Sequence, residues 1–173
     1  PLPMRRESID NAVARIRELR DTLELPIAIE NVSYYAHPGR AHMTEVDFVL
    51  EVLEGADAKL LLDVNNVFVN AKNHGFDPYA YLDRIPPERV VQMHVAGHYT
   101  RKDGVIIDTH GQDVRDEVFD LLEHALRRVG PVPVLLERDQ NFPPLSQLLD
   151  ELRRIDAIYR RATAPREPGQ VRA

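Results

Sequence analysis

The spacing of apolar positions changes along the chain, and the changes mark alternating helices and strands. Ile9, Val13, Ile16 and Leu19 recur at helical spacing with charges between them, which predicts a helix over residues 8–23. The run Pro26-Ile27-Ala28-Ile29 predicts a strand. Residues 44–55 predict a second helix, opened by a capping box of Thr44 and Asp47 and stopped by Gly55. Residues 59–64 predict a strand, and residues 77–84 a short helix ending before Pro86-Pro87. Residues 90–94 predict a third strand, 114–129 a helix closed by Gly130-Pro131, and 132–137 a fourth strand. The last helix, 145–161, carries Leu145, Leu148, Leu149, Leu152, Ile155 and Tyr159 on one face. Leu2 to Met4 is a candidate end of a fifth strand. Residues 163–173 are polar with Pro and Gly, and are expected to form a disordered tail behind a domain spanning 1–162.

Apolar strands alternating with helices predict a parallel sheet covered on both faces. A closed (β/α)₈ barrel needs eight strands and roughly 250 residues, and this chain has 173. It is therefore part of a barrel, or pairs with another chain, or forms an open sheet. The chain opens at Pro1 without an initiator methionine, so a preceding segment is expected. The absence of GxGxxG and GxxxxGK[ST] removes support for a nucleotide-binding open sheet. A net charge of −6 argues against a nucleic-acid partner. No apolar run approaches the ~20 residues that span a bilayer, so no membrane association is expected. There is no cysteine, which excludes disulfides, zinc-thiolate sites and a thiol nucleophile, and which fits a cytoplasmic location.

Active sites of parallel α/β folds lie at the C-terminal ends of the strands. Those ends are Glu30, Asp63, His94 and Glu137, and the loops beyond add Asn31, Asn65, Asn66, His98, Asp108, His110 and Asp139. Carboxylates crowded at one rim repel unless a cation sits among them, and mixed carboxylate and imidazole donors suit iron, manganese or zinc. Each motif also has a plainer reading. Glu30-Asn31 can cap a turn, Asp63-Val64-Asn65-Asn66 can be a cluster of Asx turns, and Glu137-Arg138-Asp139 can be a surface ion pair. His94 and His98 are four apart but separated by Gly97, with His94 read as ligand and His98 as a substrate or outer contact. His37, His42, His74 and His124 read as loop or surface histidines, and Arg153, Arg154, Arg160 and Arg161 as a solvated helix face.

Taken in order, Ile29-Glu30-Asn31-Val32-Ser33, Asp63-Val64-Asn65-Asn66, His94-Val95-Ala96-Gly97-His98, Asp108-Thr109-His110 and Glu137-Arg138-Asp139 resemble the multinuclear non-haem iron-dependent oxidases. The resemblance covers about residues 25–160. It implies a xylose-isomerase-like TIM barrel, of which this chain supplies the last four or five β/α units. Members of the family are longer, with further histidines on their early strands. The resemblance also implies two or three irons, dioxygen as co-substrate, and modification of a precursor peptide, often at cysteine, in natural-product biosynthesis. A partner protein that recruits the leader of that peptide is implied as well. By motif, Glu30, Asp63, Asn66, His94, Asp108, His110 and Glu137 are the implied metal ligands. Asn31, His98 and Asp139 are implied to contact substrate or support the ligands. The alternatives are a manganese- or zinc-dependent isomerase or hydrolase of the same barrel type, and a truncated, non-catalytic barrel that serves as a binding partner.

Overall fold

The computed structural model describes residues 2–165. The order is α1 (Arg6–Leu23), β1 (Ala28–Glu30), α2 (Glu45–Ala56), β2 (Lys59–Asp63), α3 (Val64–His74) and α4 (Pro78–Arg84), then β3 (Val90–Val95), β4 (His98–Thr100), β5 (Ile106–Asp108), α5 (Asp116–Val129), β6 (Val134–Leu136) and α6 (Leu145–Thr163). The capping box at Thr44 and Asp47 is present, each residue's side chain meeting the other's backbone N–H. The stop of α2 differs from the expected one. Asp57, at φ 50°, ends the helix, while Gly55 lies inside it. A Cβ on Gly55 would come within 2.8 Å of Val13 Cγ2, so this glycine is there to let α1 lie close on α2.

Three further expectations are corrected. Leu2 to Met4 is not a strand; Met4 is buried and the segment leads into α1. Residues 64–74 form α3, a helix that strand and turn signals concealed because the whole of Val64–Ala71 is buried and shows no polar face. An antiparallel hairpin, β4 with β5, stands in the loop after β3. The helical face of α6 is also less covered than its pattern suggests: Ile155 and Ile158 are buried, whereas Leu145, Leu149 and Leu152 are exposed. The expected disordered tail begins at Thr163, which is the last residue of α6; residues 166–173 lie outside the described residues.

β1, β2, β3 and β6 form one parallel sheet in that order. Its register sorts the side chains onto two faces. Ile29 pairs with Leu60, Leu62 with Met93, Met93 with Val134 and Val95 with Leu136. These residues all belong to or pack on the single core cluster, with Leu60, Leu62, Met93 and Val95 at 1% exposure or less. The helices cover this face. The opposite face follows from the same pairs. Glu30 pairs with Leu61, Asp63 with His94, and His94 with Leu135. Because side chains alternate with a period of two, Glu30, Leu61, Asp63, Gln92, His94, Leu135 and Glu137 share one face. Among the described residues no helix covers it, and Leu135 and Glu30 are exposed there. The sheet is thus covered on one face, not two.

Candidate metal centre

The strand ends that share the open face bring their donors together. One ligand atom each from Glu30, Asp63, His94 and Glu137 lies within 4.8 Å of the others. Two opposed ligands at ~2.2 Å from one ion would stand ~4.4 Å apart. A second group, again within 4.8 Å, comprises His110, Glu137 and Asp139, so Glu137 belongs to both. His94 Nδ1 stands 3.1 Å from Glu137 Oε2 and 3.4 Å from Glu30 Oε1. His110 Nδ1 stands 3.4 Å from both Glu137 Oε2 and Asp139 Oδ2, and its Nε2 is 2.7 Å from Asp108 Oδ1.

These approaches are close without being hydrogen bonds. His94 Nδ1 and both ring nitrogens of His110 are buried with no aligned partner, as are Asp63 Oδ2, Asn66 Oδ1 and His98 Nε2. Buried polar atoms are ordinarily paired, and leaving one unpaired costs about 1–3 kcal/mol. Lone pairs that crowd one another yet point past one another fit a cation at the common point. The donor set therefore accepts a metal chemically, with carboxylates and imidazoles and no thiolate.

The local folding explains the placement. Asp63 is the N-cap of α3, its Oδ1 accepting from Asn66 N at 2.6 Å, which leaves Oδ2 for the open face. Asn31 is fully engaged in scaffolding: its Oδ1 accepts from Asp63 N and its Nδ2 donates to Asp63 O, both at 2.9 Å. Asn66 Nδ2 donates to Asn31 O, binding the ends of β1 and α3 together. Gln92, two residues before His94 on the same face, meets His94 Nε2 at 3.0 Å and turns Nδ1 toward the carboxylates. Arg138 points the other way, to Glu151 at 2.8 Å and Asp113 at 3.2 Å, so Glu137 and Asp139 flank the site by alternation. The plain surface-pair reading of Glu137-Arg138-Asp139 fails because Arg138 is buried and pairs with other residues.

His110 sits at φ 46°, in the left-handed region uncommon for a residue with a side chain. Its loop is clamped by backbone bonding of Asp139 N to His110 O and by Gln140 Nε2 donating to Thr109 O. Asp108 is held on both oxygens, by Asn65 Nδ2 at 2.8 Å and Ser33 Oγ at 3.0 Å. His98 Nδ1 meets Asn65 Oδ1 at 2.8 Å. Asn65 is one of the loop residues the sequence offers but lies outside the expected ligand set, and Ser33 and Gln92 carry no sequence signal beyond proximity to motif residues. His74 is no surface residue: it stacks on Tyr34 with ring centroids 4.1 Å apart. His37 joins the same aromatic group, and His124 pairs with Asp83 on the surface at 2.8 Å.

Charge crowding shifts protonation as expected for such a cluster. Burial, then the neighbouring Asp108 and Glu30 charges, push Asp63 up to about 8, and burial with Glu137 nearby raises Glu30. Asp108 beside its ring pushes His110 up to about 9. Protons thereby hold together, in the protein alone, a group of charges that a cation would hold better. His98 moves oppositely, to about 4, because burial and the nearby Arg115 disfavour its cation.

Comparison with known proteins matches the chain to one family model over most of its length. The family described as "RiPP precursor modification enzyme MbnB/TglH/ChrH" matches residues 1–160. A UPF0276 protein of Shewanella amazonensis is 49% identical over 155 residues, covering 90% of this chain and 55% of that protein. A UPF0276 protein of Pseudomonas aeruginosa is 50% identical over 163 residues, covering 94% and 57%. One of Alcanivorax borkumensis is 47% identical over 159 residues, covering 90% and 53%. The chain thus spans little more than half the length of the curated relatives it matches.

Proposed function

The chain belongs to the RiPP precursor modification enzymes MbnB/TglH/ChrH, the multinuclear non-haem iron-dependent oxidases, and from that premise we propose that it carries half of an iron centre for oxygen-dependent peptide modification. Glu30, Asp63, His94 and Glu137 hold one ion, and His110 and Asp139 with Glu137 hold a second. Asn66 and Asp108 are the remaining donors at this rim, and donors from outside the chain complete a two- or three-iron set. Ferrous iron held by these residues would supply reducing electrons for dioxygen chemistry. The protein's own part is positional. Gln92 holds His94 through the contact of its side-chain amide nitrogen with Nε2, Asn65 and Ser33 fix Asp108, and the left-handed turn at His110 presents both ring nitrogens.

The substrate class in this reading is a precursor peptide, often modified at cysteine, delivered by a partner protein that binds its leader. The four parallel β/α units are the later part of a (β/α)₈ barrel, and the open face, with Leu61 and Leu135 beside the donors, is the barrel interior. No helix of the described residues is long and apolar enough to cross a membrane; we place the enzyme in the cytoplasm.

The observation that carries this reading is the convergence of ligand atoms from four neighbouring strand ends on one face, with Asp63 Oδ2 and His94 Nδ1 among them buried and unpartnered. The test is anaerobic titration of the chain, and of a full-length relative, with ferrous iron, followed by elemental analysis and dioxygen uptake in the presence of the cognate peptide. Stoichiometric iron on the relative, lost together with turnover on Asp63→Ala, is the expected result. Full turnover with zinc or manganese in place of iron would overturn the oxidase assignment in favour of the isomerase or hydrolase class.

A further inference from the structure

The hairpin β4–β5 has two outer edges, and the protein treats them differently. Arg101 N donates to Val105 O at 2.8 Å, and the register pairs Thr100 with Ile106, Tyr99 with Ile107 and His98 with Asp108. In an antiparallel pair the hydrogen-bonded positions alternate. The 101–105 and 99–107 pairs are therefore bonded across the hairpin, and the backbone groups of His98, Thr100, Ile106 and Asp108 face outward. On β5 those groups are capped by side chains. Asn73 receives Ile106 N at 2.9 Å and donates to Ile106 O at 2.8 Å, and Tyr35 Oη meets Asp108 N at 2.9 Å. On β4 no such cap is found among the described residues. Instead β4 borders a polar groove of about 560 Å³, whose other wall is the segment leading into α5.

One of the residues that line the groove also carries a buried acceptor without a partner. His98 lines it at 1% exposure. Asn65 Nδ2 donates to the Asp108 carboxylate, so Asn65 Oδ1 faces His98 and takes the proton on its Nδ1. Nε2 is then a lone pair, buried and unpaired. It calls for a donor, not an anion.

We propose that this groove binds an extended segment of the substrate peptide, which adds as a third strand to the free edge of β4 and gives an N–H to His98 Nε2. The inference rests on the peptide-modifying reading above. An uncapped strand edge is a template for another strand, and a backbone supplies the alternating donors and acceptors that a mostly polar groove needs. The position suits the partner: His98, Asn65 and Asp108 form a hydrogen-bond chain from the groove to the atom 2.7 Å from His110. β4 leaves the sheet from β3, between β2 and β6, so neither sheet edge is involved. The walls are bridged at one exposed point, Arg115 Nη2 to Thr100 Oγ1 at 3.3 Å, which rotation of the arginine opens.

The test uses the metal-free chain in EDTA, so it does not depend on the iron assignment. The probe is the blocked peptide acetyl-Thr-Val-Thr-Val-amide, titrated to millimolar concentration, with a counterpart N-methylated at alternate amides. The expected result is saturable ¹⁵N and ¹H shifts confined to residues 98–100 and 112–117, with the His98 Nε2 signal moving as it gains a hydrogen bond. The N-methylated peptide should bind at least tenfold more weakly. Thr100→Pro, which removes an outward N–H outside the ladder, should weaken binding by a similar factor while ferrous iron binding is kept. Absence of shifts, shifts centred on β1 or β6, or equal binding of the N-methylated peptide would overturn the proposal. The peptide comparison on the unaltered chain decides the matter even where Thr100→Pro fails to fold. Failure here with normal iron loading would leave the metal centre standing and remove only the groove.

Discussion

Leu61 and Leu62 are neighbours on β2, identical in chemistry, and they live in different environments. Leu62 is 1% exposed beneath the helices, while Leu61 is only partly buried on the open face beside Asp63 and His94. The two faces of the sheet differ in the same way along every strand. The covered face is uniformly apolar and belongs to one core cluster. The open face mixes leucines with carboxylates, amides and imidazoles, and Asp63 Oδ2 and His94 Nδ1 on it are buried without partners. One face thus supplies stability and the other chemistry, a division that the strand register alone produces.

The sharpest way to break this comparison is a pair of truncations. Leu62→Ala should cost about 2–5 kcal/mol, the usual range for a buried leucine. Leu61→Ala, one residue away, should cost under about 1 kcal/mol in the chain alone. Urea unfolding of both variants decides it, and equal costs would mean that the open face is packed in solution.

A buried carboxylate on the covered side gives the next largest effect. Glu45 opens α2 at 8% exposure, accepting from Asn70 at 3.1 Å and Tyr81 at 3.3 Å, and burial pushes it up to about 7. Its folded value exceeds its ordinary one, so its contribution to stability is complete below about pH 4.5 and is lost as pH rises through about 7. The loss is on the order of 3 kcal/mol. Glu45→Gln should flatten that part of the stability–pH curve, and an unchanged slope would show that the carboxylate is solvated.

On the open face the expected effect is on metal, not folding. His110→Ala should lower ferrous iron affinity by more than about 100-fold, since losing a residue that only supports a ligand already costs 10- to 100-fold. His124→Ala, on the surface pair with Asp83, should leave it unchanged. Elemental analysis of both proteins separates a ligand from a bystander, and full iron on the His110 variant would remove that loop from the centre. The smallest effect concerns exposed apolar positions. Leu135→Ser should shift stability by about 0.5 kcal/mol or less and reduce self-association, read by sedimentation velocity. Unchanged self-association would point to another surface, such as the exposed leucines of α6.

Much of the fold was legible because period and punctuation carry it. The helices α1, α2, α5 and α6 and the four parallel strands were all predicted near their observed bounds, and the capping box at Thr44 was readable residue by residue. α3 was not, because a helix buried on all sides has no polar stripe to reveal its period, and its opening Asp63-Val64-Asn65-Asn66 also spells a turn. The hairpin was missed because three-residue strands carry too few alternations to register.

For the candidate centre, the sequence by itself determined which residue types end the strands, since a carboxylate or histidine directly after an apolar run is visible without coordinates. Only the tertiary structure decided how they divide. It committed Asn31 to the backbone of Asp63, assigned Glu137 to both donor groups, and turned Arg138 away. It also left Leu61 open and Leu62 covered, a distinction invisible in Leu60-Leu61-Leu62. The reason is physical. Local pattern records which side chains avoid water, whereas pairing register and packing, which join residues far apart in the chain, decide which face meets the helices and which meets the ligand.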